Sequence, residues 1–230
     1  MNRDKADSAF ESEDEHEVTT SSASSRSIFV RKEDLDPNRV DKDILIVPYK
    51  AENFQGTSYF LTLGTHYFVH ETMTTLINPE SKKSVRNYWG QPKKAVKLPE
   101  IEIRNTGLDS EKKYIKIAAG KTILCHTSEF IGISEGMQIL FKPVSRLVIS
   151  LLDVKITTGG NYFDRCILII KNSSESCVYL NEGTFISEVT FFRTSQPKDG
   201  NELGKDKMAL SQIQKNWKPE NLFVSNISGK

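Results

Sequence analysis

Branched apolar and aromatic residues are most crowded at 165–193, R-C-I-L-I-I-K-N-S-S-E-S-C-V-Y-L-N-E-G-T-F-I-S-E-V-T-F-F-R. Asn172-Ser173-Ser174 and Asn181-Glu182-Gly183 divide this stretch into three short runs. Turn formers between runs of Ile, Val, Phe and Tyr predict consecutive buried strands. The segment 146–156 is comparably apolar and reads as one more strand before Thr158-Gly159-Gly160. Upstream, 44–47 is a short strand stopped by Pro48. Residues 57–63 alternate into Gly64, and 65–70 reads as their hairpin partner across Leu63-Gly64-Thr65. Short strands follow at 114–118, 122–126 and 139–141, with a loop from 126 to 136. The section 78–99, with three prolines, Gly90 and several lysines, reads as a long surface excursion that caps an edge or a site. Turn signals every eight to twelve residues or so, with almost no helical periodicity, predict an all-β barrel or jelly roll of about ten to twelve strands.

Composition changes the picture mainly at the ends. Residues 1–27 hold seven carboxylates and seven serines and little that is apolar beyond Phe10 and Val18. Such a segment cannot offset its ordering entropy by burial and is expected to be disordered, as a solubilising extension or as a phosphorylatable, partner-binding tail. The barrel domain is expected at 28–193 and a C-terminal tail at 194–230. Within that tail, Met208, Leu210, Ile213 and Trp217 fit a short helix loosely, one able to dock on the barrel or on a neighbouring subunit.

The net charge of +1 argues against a dedicated nucleic-acid binder. Cys125, Cys166 and Cys177 sit at no metal-like spacing and read as buried free thiols in a reducing compartment. No apolar run approaches bilayer length and the polar N-terminus has no signal-peptide core, so a soluble cytoplasmic protein without membrane contact is expected. His66 and His70, four apart on one strand, lack a third ligand and read as half-exposed strand histidines. Cys125 and His126 are adjacent on one strand, point to opposite faces and cannot form a nucleophile–base dyad.

Three motifs in order carry a family resemblance. Leu45-Ile-Val-Pro-Tyr-Lys-Ala-Glu-Asn-Phe-Gln-Gly-Thr-Ser-Tyr-Phe-Leu-Thr-Leu-Gly64 resembles the N-terminal signature of dCTP deaminases, in which a hydrophobic strand and a proline lead into Q-x-x-S-x-D-L-x-L-G. Ala119-Gly-Lys-Thr-Ile-Leu-Cys-His-Thr-Ser-Glu-Phe-Ile131 is similar to P-G-x-x-x-L-x-x-T-x-E-x-I, and 172–192 to the family's closing strands. The chain thus resembles the dCTP deaminase and dUTPase superfamily over about two-thirds of its length, on the deaminase side. The resemblance implies a dUTPase-like β-barrel or distorted jelly roll, a homotrimer with active sites between subunits, a pyrimidine deoxynucleoside triphosphate as ligand, magnesium on its phosphates, and no zinc. It also implies catalysis by an R-S-S-x-x-R segment and by a Glu that shuttles protons as water attacks the pyrimidine.

Laid on this sequence, R-S-S-x-x-R falls on 144–149. Ser145 is kept, the two arginines are replaced by Val144 and Ile149, and Arg146 stands at the second serine. The Glu falls on Ile169, or on Ile170 one position along, and no carboxylate lies between Arg165 and Lys171. The family's Asp in S-x-D-L is Phe60, and the Gln of its last motif is Glu188, whose charge would repel a nearby phosphate. The base-binding hairpin reads Thr157-Thr158-Gly159-Gly160-Asn161-Tyr162-Phe163-Asp164-Arg165. The nucleotide-binding candidates are therefore Ser145, Arg146, Thr157, Thr158, Gly159, Asp164 and Glu188, with no catalytic residue, metal ligand or cofactor assigned. Two readings follow: an inactive barrel with a structural, regulatory or residual nucleotide-binding role, which acts through oligomerisation or through partners of its tails, or a deaminase or dUTP diphosphatase whose site is rebuilt on Asp153, Asp164 or Glu188. On the first reading, the aliphatic replacements pack the old pocket shut.

Overall fold

The computed structural model describes residues 30, 32–35, 43–70, 76–134, 136–158, 163–194 and 207–223. The expectations for 1–27 and for Gly159 lie outside these residues. Twelve strands are described: β1 (Ile44–Val47), β2 (Phe54–Gln55), β3 (Ser58–Val69), β4 (Lys93–Lys94), β5 (Val96–Lys97), β6 (Lys113–Ile117), β7 (Thr122–Ile133), β8 (Met137–Pro143), β9 (Leu152–Thr157), β10 (Phe163–Asn172), β11 (Val178–Asn181) and β12 (Phe185–Arg193). Four α-helices accompany them: α1 (Lys82–Trp89), α2 (Glu100–Thr106), α3 (Ser145–Ile149) and α4 (Lys207–Asn216). The main sheet is antiparallel, in the order β8-β12-β3-β7-β10-β9, with β1 on β7 and with β2 and β4 on β3. β11, β6 and β5 form a smaller sheet. The path curls until its ends, β8 and β9, face each other, so the architecture is an all-β barrel that stays open along one seam.

Strand alternation explains the interior. Cys166, Leu168 and Ile170 point inward from β10, where Leu168 and Ile170 pack with Leu63, Ile123 and Ile186, and Cys166 packs with Tyr59, Leu61 and Phe191. Full burial of one such side chain contributes about 1.5–3 kcal/mol. The Asn172 break works through its side chain: Nδ2 donates to the Ile117 and Ser176 carbonyls, and Oδ1 accepts from the Ser174 amide and hydroxyl. Those four bonds turn the chain out of the main sheet and into β11.

Several expectations are corrected. No hairpin forms at Gly64; β3 runs through it without a break, because the glycine serves a close approach to His126 and not a turn. β7 continues through 127–133, where a loop is expected, because its polar residues are satisfied internally: Thr127 Oγ1 donates to the Glu129 carbonyl and accepts from the Cys166 amide. The 146–156 run is not one strand. Its first part is α3, anchored by buried Leu147, and the chain reverses at Leu151 (φ 58°) before entering β9. Strand propensity there yields to the turn that buries Leu147. The 78–99 section is ordered by α1, β4 and β5, and Cys177 is exposed.

On the outer face of β3, β7 and β10 lies a second apolar layer. Phe68, Leu124 and Ile167 are covered by Leu222 and Phe223 of the turn at Pro219–Phe223 and by Val85 and Trp89 of α1. Phe130, Phe163 and Leu45 are covered by Ile213 of α4 and by Trp217. The C-terminal segment therefore straps the barrel of its own chain.

Candidate functional site

β10 and its neighbours hold most of the residues singled out in the sequence. Ile169 sits mid-strand, opposite Lys155 on β9 and Leu124 on β7. It is 36% exposed and points outward, away from Leu168 and Ile170. Ile169 therefore fills no interior pocket of this chain, contrary to expectation. Ile149 at 80%, Val148 and Leu151 are exposed as well. The outward-facing carboxylate nearest in register is Asp153, paired with Lys171 and thus diagonal to Ile169.

The remaining candidates do not converge within one chain. Ser145, Arg146 and Ile149 are exposed on α3, at the start of β9. Thr157 and Thr158 lie at its other end, roughly 17–20 Å away along six residues of strand. There they line the seam between β8 and β9, a groove of about 360 Å³ whose other walls are mostly apolar, with Ile139, Phe141 and Ile156 among them. Glu188 on β12 lies 3.5 Å from Lys142 Nζ on β8, so its charge is partly balanced. Asp164 is buried, and its Oδ1 accepts from the Arg165 amide (2.7 Å) and from Trp217 Nε1 (3.2 Å). His66 stacks near His126, whereas His70 lies against Tyr88; among the described residues no three side chains gather as a metal site.

Two arrangements escape sequence reasoning. The first is a cluster of rings around the Arg165 cation, under the C-terminal segment. The Arg165 guanidinium lies between the rings of Phe130 (4.5 Å) and Trp217 (4.6 Å), and its Nη1 donates to the Thr127 carbonyl at 2.8 Å. Its buried Nε has no partner. His126, edge-on to Trp217, has Nδ1 at 2.8 Å from the Thr127 carbonyl, while Nε2 accepts from the His66 amide at 3.4 Å. Those partners fit the neutral ring. Burial, then the nearby Arg165 charge, pushes the His126 pKa down to about 3. Trp217 closes this cluster, so Trp217→Ala is expected to cost about 2–3 kcal/mol, through lost aromatic contact and cation–π attraction. Urea unfolding would register the loss, and limited proteolysis should then cut within 207–223.

The second is Glu129, only 1% exposed, on the wall of a cavity of about 510 Å³ that Lys50, Lys112, Lys113, Ser128 and Glu182 also line. Glu129 Oε2 accepts from the Thr62 amide at 2.9 Å and Oε1 from the Thr62 hydroxyl at 2.7 Å. Burial holds its pKa above the usual carboxylate range, against the lowering effect of those bonds. Its place as the acid of the Thr127-Ser128-Glu129-Phe130-Ile131 motif is the signal that could have marked it.

With this geometry in view, known proteins can be compared. No family model matches the chain, and no curated protein does. Among solved structures, the chain is similar to the 2'-deoxycytidine 5'-triphosphate deaminase from Agrobacterium tumefaciens, with 12% identity and a TM-score of 0.47 over 76% of this chain. That match covers 49% of the deaminase, so the chain spans about half its length. It is also similar to the EIAV dUTPase, with 20% identity and a TM-score of 0.30 over 39% of this chain and 79% of that one. Neither TM-score reaches 0.5; the reading below rests on the chain's own motif order and on the surroundings of Ile169. Among the described residues no helix is long and apolar enough to cross a membrane.

Proposed function

We propose that this chain is a dCTP deaminase- and dUTPase-like barrel that has lost catalysis and works as a cytoplasmic structural or regulatory protein. It assembles as a homotrimer and retains at most a weak site for a pyrimidine deoxynucleotide. The observation that supports this most is the exposed hydrocarbon of Ile169 between Lys155 and Leu124. A carboxyl must stand at the reacting atom to move protons as water adds to a pyrimidine, and an aliphatic group has no proton to give. Val144 and Ile149 act in the same direction, since neither can hold charge on a phosphate or a reacting water.

The protein at micromolar concentration, with magnesium and either dCTP or dUTP, is expected to release neither ammonia nor pyrophosphate. Sustained turnover of either nucleotide would overturn the proposal. A thermal-shift series with deoxynucleotides then measures what binding remains, because a ligand at 100 times its dissociation constant adds about 2.7 kcal/mol of stability.

A second reading has one specific observation in its favour. Asp153 lies diagonal to Ile169 on the same exposed face, the placement a substitute acid would need. If turnover is found, Asp153→Asn should abolish it without changing stability; retained activity in that variant would remove Asp153 from the chemistry.

A further inference from the structure

The stretch 82–97 carries Lys82, Lys83, Arg86, Lys93, Lys94 and Lys97 and no carboxylate. All six are exposed. Val85 and Trp89 of α1 turn inward against the C-terminal segment, which leaves Lys82, Lys83 and Arg86 exposed. Four residues beyond α1, β4 is bonded to β3 at His66 and Tyr67 and exposes Lys93 and Lys94. β5 follows with Lys97, which reaches Glu111 at 3.0 Å, and with Val96, which is 56% exposed. Cations gathered in sixteen consecutive residues hold a positive potential over the surface they expose.

The chain carries a matching counter-charge. Residues 7–17 hold Asp7, Glu11, Glu13, Asp14, Glu15 and Glu17, with no Lys or Arg and with a single large apolar side chain, Phe10. Six carboxylates thus stand against a cation group in which Lys97 already meets Glu111, and Phe10 stands against the exposed Val96. This segment lies outside the described residues, but its tether is fixed: Val30 is buried, and its amide donates to the Phe191 carbonyl at 3.4 Å. The chain between Glu17 and Val30 can span up to about 43 Å when extended, on the order of the diameter of a domain of this size.

We propose that the acidic segment 7–17 docks on the basic face made by α1, β4 and β5 of its own chain. Tethering gives the segment an effective concentration of about millimolar, enough for a contact made mainly of exposed charges. Salt weakens such a contact, because these charges stand in water. The docked segment covers the face against other polyanions. The proposal is independent of whether the barrel retains any chemistry.

Zero-length carbodiimide coupling of the full chain, followed by peptide mass spectrometry, tests it. At about 20 mM salt, carboxylates of 7–17 should couple to Lys83, Lys93 and Lys94 about tenfold more than to Lys121, Lys155 or Lys171, and at about 0.5 M the preference should vanish. A mixture of isotopically light and heavy protein should give links within one chain only. Links between light and heavy chains, or links spread evenly over the surface lysines, overturn the proposal. Neutralising the segment (E11Q, E13Q, D14N, E15Q and E17Q together) gives a second readout. The variant should bind a labelled single-stranded oligonucleotide about tenfold more tightly than the unaltered chain, since counter-charge release at the uncovered face drives that binding. No gain on neutralisation, whether both proteins bind or neither does, overturns the proposal; equal binding by both marks the face as a nucleic-acid surface instead.

Discussion

Gly64→Ala is expected to destabilise the barrel by about 3 kcal/mol, the upper part of the range for forcing atoms into a packed core. A β-carbon at this position would lie 2.2 Å from His126 Cε1, 2.3 Å from Nδ1 and 2.9 Å from the His126 carbonyl oxygen. The imidazole cannot swing aside, because Nδ1 meets the Thr127 carbonyl, Nε2 meets the His66 amide, and Trp217 lies against its edge. The backbone already bends here, since the pairing of β3 with β7 shifts register between Leu63 and Tyr67. For a chain of this size the loss corresponds to a melting temperature lower by roughly 6–12 °C. Truncating the ring should relieve the clash, so Gly64→Ala combined with His126→Ala should lose less than the sum of the two single changes. Additive losses, or an unchanged melting temperature in the single variant, would show that the ring is not fixed as described.

The second large effect is a loss of stability on acidification. With its folded pKa lowered from 6.5 to about 3, His126 stays neutral in the barrel while the unfolded chain takes up a proton. Stability is therefore full above about pH 6.5 and falls as pH drops toward 3, by on the order of 5 kcal/mol in all. His66, also shifted downward, first by burial and then by Lys94 and Arg165, adds in the same direction. Glu129 opposes them: its raised pKa makes the folded state hold a proton more readily, so just above the ordinary carboxylate range acidification favours the fold. The His126 shift is the larger and sets the net sign. Urea denaturation at pH 7, 5.5 and 4.5 measures the slope, and His126→Gln should flatten it. Parallel slopes for the two proteins would mean that some other group governs acid unfolding.

The parts of this fold legible in the sequence are those fixed by local chemistry. β10, β11 and β12 emerge from the spacing of Ile, Val and Phe between two turns, and Asn172 makes the first of these turns by bonding its own neighbours. What depends on residues far apart in the chain was not legible. Gly64 reads as a turn until His126, sixty-two positions away, is placed over it. Val148 and Ile149 carry strand propensity, yet burial of Leu147 winds them into α3 and leaves both exposed. Glu129, Thr127 and Ser128 interrupt an apolar run and look like a loop, because their partners, Thr62, Cys166 and Leu63, lie on other strands. The candidate site divides in the same way. Motif order singles out Ile169, but only the pairing of β9 with β10 brings Asp153 beside it, and only the docked C-terminal segment explains the buried Arg165.

The strap made by 207–223 also bears on how the protein is born. On the ribosome the barrel strands emerge well before Ile213, Trp217 and Phe223, so for that interval Phe130 lacks its cover and Phe68, Leu124 and Ile167 have only Val85 and Trp89 of α1 over them. A growing chain with such a face is prone to sticky contacts until those turns arrive. The outermost layer of this barrel is thus completed only once 207–223 has been made.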